Sequence, residues 1–157
     1  YAGYYISELL LELTEADHPL PRLFDAAVVT LRHLGDPGLR SARLLRFELA
    51  CLRELGQMPA LEACVNCGTS VAAATDADTV AFALATGGVL CADCRPGQPH
   101  VVALSGRTLD ALRTLAAPGS SWRTLDLSRP RLGPLRATVG AIISHLLGRR
   151  PRMLAYL

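Results

Sequence analysis

Cys64-Val65-Asn66-Cys67-Gly68 and Cys91-Ala92-Asp93-Cys94, with 23 residues between Cys67 and Cys91, are the stretches that decide how this chain folds. Two residues between cysteines let a tight turn aim both thiolates at one point, and two such turns supply the four sulfurs that tetrahedral zinc prefers. Gly68 directly follows the first pair and tolerates a backbone conformation that turns amides towards sulfur. The pattern predicts one Zn2+ held by Cys64, Cys67, Cys91 and Cys94. With all four positions filled by protein, no site is left for water, and the expected role is structural. Two disulfides would need an oxidising compartment, which no cleavable signal pattern suggests, and a redox role explains one CxxC better than two. An iron–sulfur cluster is the alternative occupant. His100 lies close enough in sequence to replace one cysteine, although four thiolates need no fifth partner. Cys51 stands mid-helix among apolar residues and reads as an inert core thiol.

Outward from the cysteines the chain is helical. Between the pairs, Thr79-Val80-Ala81-Phe82-Ala83-Leu84 and Gly87-Gly88-Val89-Leu90 predict a small β-hairpin, with Asp76 and Asp78 as loop acids. Upstream, Tyr5, Ile6, Leu9, Leu10 and Leu13 recur at helical spacing, with Glu8, Glu12 and Glu15 opposite. Pro21 opens a second helix with Phe24, Ala27, Val28, Leu31 and Leu34 as its apolar face. A third, from about Leu39 to Leu55, stops at Gly56 and is apolar enough to be the central helix. Downstream, Ser105 caps a helix carrying Leu109, Leu112 and Leu115 that ends before Pro118. The last helix is expected after Pro134, with Leu135, Val139, Ile142, Ile143, Leu146 and Leu147 on one face, closing at Gly148. The predicted class is mainly α: a helical bundle over 1–157 with an embedded small four-cysteine zinc lobe, over 60–96, that contains a short β-hairpin.

All sixteen basic residues are arginine, so lysine-dependent phosphate loops and Schiff-base mechanisms are excluded. No Gly-x-Ser-x-Gly elbow or His-Glu-x-x-His motif occurs either, and no enzyme is expected. No apolar run approaches the roughly 20 residues that cross a bilayer, which predicts a soluble protein. The chain begins at Tyr1 directly in a helical pattern, as a fragment would. Charge is uneven: residues 1–63 carry six arginines against nine acids, 64–94 carry three aspartates and no arginine, and 95–157 carry ten arginines against two acids. A basic final third points to an acidic partner, or simply balances the acidic front.

The order of these parts resembles the C-terminal portion of the RecO family of bacterial recombination mediators. The resemblance rests on Leu44-Leu45-Arg46-Phe47-Glu48-Leu49, Leu55-Gly56, the two cysteine pairs with Gly87-Gly88-Val89-Leu90 before the second, and a late helix ending Leu147-Gly148-Arg149-Arg150. It covers essentially the whole chain. It implies an upstream OB-fold domain, absent from this chain, that carries most of the DNA affinity. It also implies a non-enzymatic mediator that binds single- and double-stranded DNA, works with RecR and docks on the acidic C-terminal tail of single-strand binding protein to load RecA. The implied location is the bacterial cytoplasm, at the nucleoid. Many relatives end in a basic-Ser-Arg-like segment where this chain has Arg152-Met153-Leu154, which puts any role of that segment in doubt.

Two arginine sets are the candidate binding residues. Arg43, Arg46 and Arg53 share one helical stripe with Ala50 and suit a peptide carboxylate, because the guanidinium fork bonds it twice. The resemblance makes Arg46 the first of these; the bland alternative pairs the stripe internally with Glu48, Glu54 or acids of the first helix. Arg113 is taken as a surface position for comparison. Arg129, Arg131, Arg136, Arg149, Arg150 and Arg152 surround the last helix, and a DNA-binding module would place them on phosphates. Arg149 and Arg150 equally suit a helix C-terminus. Trp122 beside Arg123 is the nearby stacking candidate and more readily a core anchor, and His145 reads as a surface residue.

Overall fold

Helix α3 (Arg40–Glu54) is the axis of the bundle. Leu44, Leu45, Phe47, Leu49, Cys51 and Leu52 are buried on more than one of its faces, as a helix surrounded by others requires. It ends in a Schellman cap: Gln57 N donates to Leu52 O and Gly56 N to Arg53 O, with Gly56 at φ +69°. The computed structural model describes residues 1–15, 17–72 and 79–157; Asp76 and Asp78 lie outside them. Helices α1 (Ala2–Leu13), α2 (Pro21–Arg32), α4 (Gly106–Ala116) and α5 (Arg129–Leu147) share one core with α3. Ser105 caps α4, its hydroxyl accepting from Thr108 N at 3.2 Å, and Gly148 closes α5 at φ +68°. Among the described residues, no helix is long and apolar enough to cross a membrane.

A carboxylate lies in the middle of this core. Glu48 has no exposed surface, and its Oε1 accepts from Tyr5 Oη at 2.5 Å. Arg136 Nη1 donates to both its oxygens at 2.9 Å, so α1, α3 and α5 are tied at one point. Burial pushes the Glu48 carboxyl above the usual range, while Arg136 and the two hydrogen bonds pull it back. Burial likewise raises the Tyr5 phenol, and the Glu48 charge adds to it.

The small sheet joins the bundle to the cysteines. Strands β1 (Thr79–Ala83) and β2 (Gly88–Leu90) form the expected hairpin, and β3 (Val101–Ser105) pairs with the other edge of β1, giving the order β2-β1-β3. Both neighbours are antiparallel to β1, with Phe82 opposite Val89 on one side and Val102 on the other. Strand alternation then divides two clusters. Val80 and Phe82 enter the main core, whereas Ala81 and Ala83 pack with Cys64 and Leu90.

Three local readings differ from the structure. Helix α5 starts at Arg129 rather than after Pro134; Pro130 sits in its first turn and Pro134 inside it. Pro134 lacks the amide that would reach Pro130 O, but Pro130 is exposed and Leu135 is driven into the core. The buried face of α2 is Leu23, Ala27 and Thr30, one residue out of phase, so Phe24 and Leu31 point to solvent. Thr30 tolerates burial because its hydroxyl donates to Ala26 O at 2.7 Å. The sheet also has a third strand beyond the hairpin, because Val101–Ser105 completes the open edge of β1.

Replacing Arg136 with methionine leaves the Glu48 carboxylate buried without its cation and lowers stability by about 3 kcal/mol near neutral pH. The variant raises the folded pKa of Glu48 further, so the stability it retains is complete below the unfolded carboxylate range and falls as pH rises through the folded value. Urea melts at about pH 7 and about pH 5 should therefore show the deficit shrinking in acid. An equal deficit at both would show that Glu48 does not depend on Arg136 for its charge.

Candidate metal centre and arginine surfaces

The four cysteines are brought together by backbone pairing. Ala60 N donates to Gly87 O and Val89 N to Ala60 O, each at 2.9 Å, so the segment before Cys64 lies along β2. Val65 N then donates to Val89 O, also at 2.9 Å, setting the first turn beside the second. Gly88 must be glycine here: a Cβ would come within 2.9 Å of the Cβ atoms of Ala60 and Val65. Both cysteine pairs adopt the same turn, with Gly68 N donating to Cys64 O at 2.8 Å and Arg95 N to Cys91 O at 3.1 Å. Gly68 has φ +74°, the conformation its position after Cys67 anticipates.

All four Sγ atoms lie within 4.8 Å of one another, and Cys67 Sγ is 3.6 Å from Cys91 Sγ. No disulfide links them. Tetrahedral bonds of about 2.3 Å put sulfurs about 3.8 Å apart, so this donor set fits a single thiophilic ion. The thiols are driven to unequal values. Backbone amides of Cys91, Cys67 and Asn66 draw Cys64 down to about 6, and the Thr69 hydroxyl and amide lower Cys67. Cys94 is pushed up to about 12 by the Cys91 and Cys67 sulfurs. A fourth thiolate thus meets the charge of those already present, which a cation relieves. His100 is outside the cluster; it is exposed, at φ 52°, with its ring 6.5 Å from that of His145. Cys51 is fully buried and raised to about 12, mainly by burial, as an inert core thiol would be.

Arg113 fastens this lobe to the bundle. Its Nε and Nη2 donate to Leu61 O at 3.0 and 2.7 Å, Nη2 also donates to Val71 O at 2.7 Å, and Glu62 and Asp110 lie within 3.4 Å. It is a bridge between α4 and the first cysteine turn, not the surface position its sequence context suggests.

Two arginines of the α3 stripe hold carbonyls and the third lies beside an acid. Arg46 Nη1 donates to Leu115 O at 2.7 Å and Ala117 O at 3.0 Å, and Arg53 Nη2 donates to Ala116 O at 2.6 Å. Two cations thereby satisfy the last carbonyls of α4 and complement its dipole. Arg46 also lies 5.1 Å from the Trp122 ring centroid, and Arg123 lies 5.4 Å from it. Trp122 is buried and donates from Nε1 to Gly119 O. Arg43 sits 3.8 Å from Asp36, and its Nε is buried without a hydrogen-bond partner among the described residues.

The C-terminal set divides in two. Arg131 pairs with Asp126 at 3.2 Å, Arg136 with Glu48 at 2.9 Å, and Arg149 with Glu12 and, at 3.9 Å, Glu8. Arg129, Arg150 and the Arg152 side chain have no ion-pair partner among the described residues. Glu8 also accepts from the backbone amides of Arg152 and Met153 at 2.7 and 2.8 Å, which ties the chain end to α1.

Residues 1–155 match the family model described as "Recombination protein O C terminal". Among curated relatives, the chain is 35% identical to "DNA repair protein RecO" of Rhodopirellula baltica, over 100% of this chain and 66% of the relative. It is 37% identical to the protein of that name from Anaeromyxobacter dehalogenans, over 93% of this chain and 56% of the relative. With the Roseiflexus protein it shares 32% identity over 99% of this chain and 54% of the relative. The chain thus spans between about half and two thirds of the length of these relatives.

Proposed function

Because the chain belongs to the RecO family, of which it forms the C-terminal part, we propose that it is the metal-stapled platform of a non-enzymatic recombination mediator. The observation that carries this reading is the match over residues 1–155, which takes in the bundle, the sheet and both cysteine pairs together. The metal in this proposal is Zn2+, held by Cys64, Cys67, Cys91 and Cys94 and purely structural, since four thiolates complete its shell. The 60–96 lobe and an OB-fold domain upstream belong to the same proposal. So does a place in the bacterial cytoplasm, at the nucleoid.

The partners in this reading are RecR, DNA and the acidic C-terminal tail of single-strand binding protein, brought together while RecA is loaded. For the tail, Arg46 and Arg123 beside the Trp122 ring, with Arg53 and Arg43 along α3, offer guanidiniums to carboxylates. For DNA, the unpaired Arg129, Arg150 and Arg152 suit phosphate better than Arg131, Arg136 and Arg149, which already hold acids. This observation favours a second reading, a DNA-binding module, in a reduced form.

A fluorescein-labelled tail peptide titrated with the chain should give saturable anisotropy that disappears when the peptide's terminal aromatic is removed. Arg46→Ala and Arg123→Ala should each weaken it roughly tenfold, about 1.4 kcal/mol, while the exposed Arg32→Ala leaves it unchanged. Arg123 is exposed, so its variant separates lost binding from a loosened α4. Equal effects at all three positions would remove the tail assignment. For duplex DNA, three phosphate contacts predict a slope of log affinity against log salt of about −2.7, and all six would give about −5.4. No measurable DNA binding at low salt would end the second reading.

A further inference from the structure

Gly133, Ala137, Gly140, Ala141 and Ser144 line a groove along three turns of α5, about 16 Å of helix, with Gly133 and Ala137 exposed, Ala141 and Ser144 half-buried and Gly140 buried beside Leu154. These positions recur one turn apart, and none carries a side chain larger than a hydroxymethyl group. A Cβ built on Gly133 meets nothing within 4 Å, whereas one on Gly140 comes within 3.1 Å of Leu154. The groove is therefore floored by helix backbone, walled on one side by Leu154 and Leu157, and about 790 Å³ in volume, enough for several large side chains.

Its charge has one sign. Arg129, Arg136 and Arg150 line it, and among the described residues no aspartate or glutamate does. Arg129 and Arg150 hold no acid among the described residues. Arg136 places one nitrogen, Nη1, on Glu48 and has no hydrogen bond from Nε or Nη2 among the described residues. The buried carboxylate thus fixes the guanidinium in place while leaving donors for an anion in the groove. The three cations occupy the start, the middle and the far end of the open face. Arg129 and Arg136 lie two turns, about 10.5 Å, apart.

The floor decides which acidic ligand fits. Among the described residues no aromatic ring lines the groove, so bases find nothing to stack on, and a phosphate backbone would leave the apolar floor and the leucine wall uncovered. Small residues one turn apart instead admit the side-chain ridge of a second helix at close approach. We propose that this groove docks an amphipathic acidic helix of a partner protein. Large apolar residues at i, i+3 and i+7 would lie on the Gly133–Ser144 stripe, and flanking carboxylates would face Arg129, Arg136 and Arg150. This site is on α5, away from the α3 stripe proposed for the tail and independent of that assignment; it competes with the DNA reading for Arg129 and Arg150, and the oligothymidylate control decides between the two.

The probe is a fluorescein-labelled helical peptide of about 18 residues with leucines on one face and glutamates flanking them. Two controls accompany it: the same composition with the leucines distributed around the helix, and a single-stranded oligothymidylate. The 157-residue chain should bind the amphipathic peptide saturably and the redistributed peptide at least tenfold more weakly. Ala137→Trp, at an exposed floor position, should weaken binding about tenfold by filling the groove, and R129E with R150E should do the same by reversing its charge. Circular dichroism melts check that each variant stays folded. Equal binding of both peptides, or binding unchanged in Ala137→Trp, would overturn the proposal. So would an absence of peptide binding at about millimolar concentration. Oligothymidylate binding that displaces the peptide and is lost in R129E/R150E but kept in Ala137→Trp would reassign the groove to nucleic acid.

Discussion

Four sulfurs within 4.8 Å of one another cannot all carry charge without a cation, and the arrangement of the middle of this chain follows from bringing them there. Cys64 and Cys67 come from the segment after α3, Cys91 and Cys94 from the end of β2. Their meeting requires residues 60–65 to lie along β2, which in turn requires glycine at position 88. The cysteine cluster is not an appendage. Strand β1 is buried on both faces, sending Val80 and Phe82 into the bundle and Ala81 and Ala83 towards the sulfurs. Arg113 adds a second tie through the carbonyls of Leu61 and Val71. Disorder among the thiols would therefore reach α4 directly.

Arginine does most of the long-range joining in this molecule. Arg113 links α4 to the lobe, Arg46 and Arg53 link α3 to the end of α4, Arg136 links α5 to α3, and Arg149 links the chain end to α1. Several of these contacts are to backbone carbonyls, which a planar fork with five donors can satisfy two at a time. Cations used in this way hold helices together, which leaves only their remaining N–H donors for a ligand. The arginines of the final third that hold no acid among the described residues are fewer than its +8 implies, and two of them, Arg129 and Arg150, line one groove along α5 together with Arg136.

Much of this was legible in the residues, and what was not shares a cause. The cysteine turns are local, so their spacing alone identifies the ligand set, although the pairing along β2 that brings the two turns together does not show in it. Helical periodicity likewise places α1, α3 and α4 and the caps at Gly56, Ser105 and Gly148. Glu48 looks like the polar side of an amphipathic helix; it is buried because Tyr5 and Arg136, 43 and 88 residues away, meet it in space. Strand β3 is a short apolar run, Val101-Val102-Ala103-Leu104, whose partner lies on the far side of the cysteines. The α3 stripe was visible as a stripe, but the carbonyls it holds come from the end of a helix some 70 residues later. Phase errors have a smaller cause: in α2 one back-bonded threonine substitutes for an apolar residue and shifts the buried face by one position.

The central claim is that one metal ion, coordinated by Cys64, Cys67, Cys91 and Cys94, completes this fold. X-ray absorption at the zinc edge, on the chain purified without added metal, tests it most directly. One zinc per chain with four sulfur neighbours at about 2.3 Å, and no nitrogen or oxygen in the first shell, is the predicted result. No zinc on the chain, fewer than four sulfurs around it, or a metal-free chain that is nevertheless folded would contradict it.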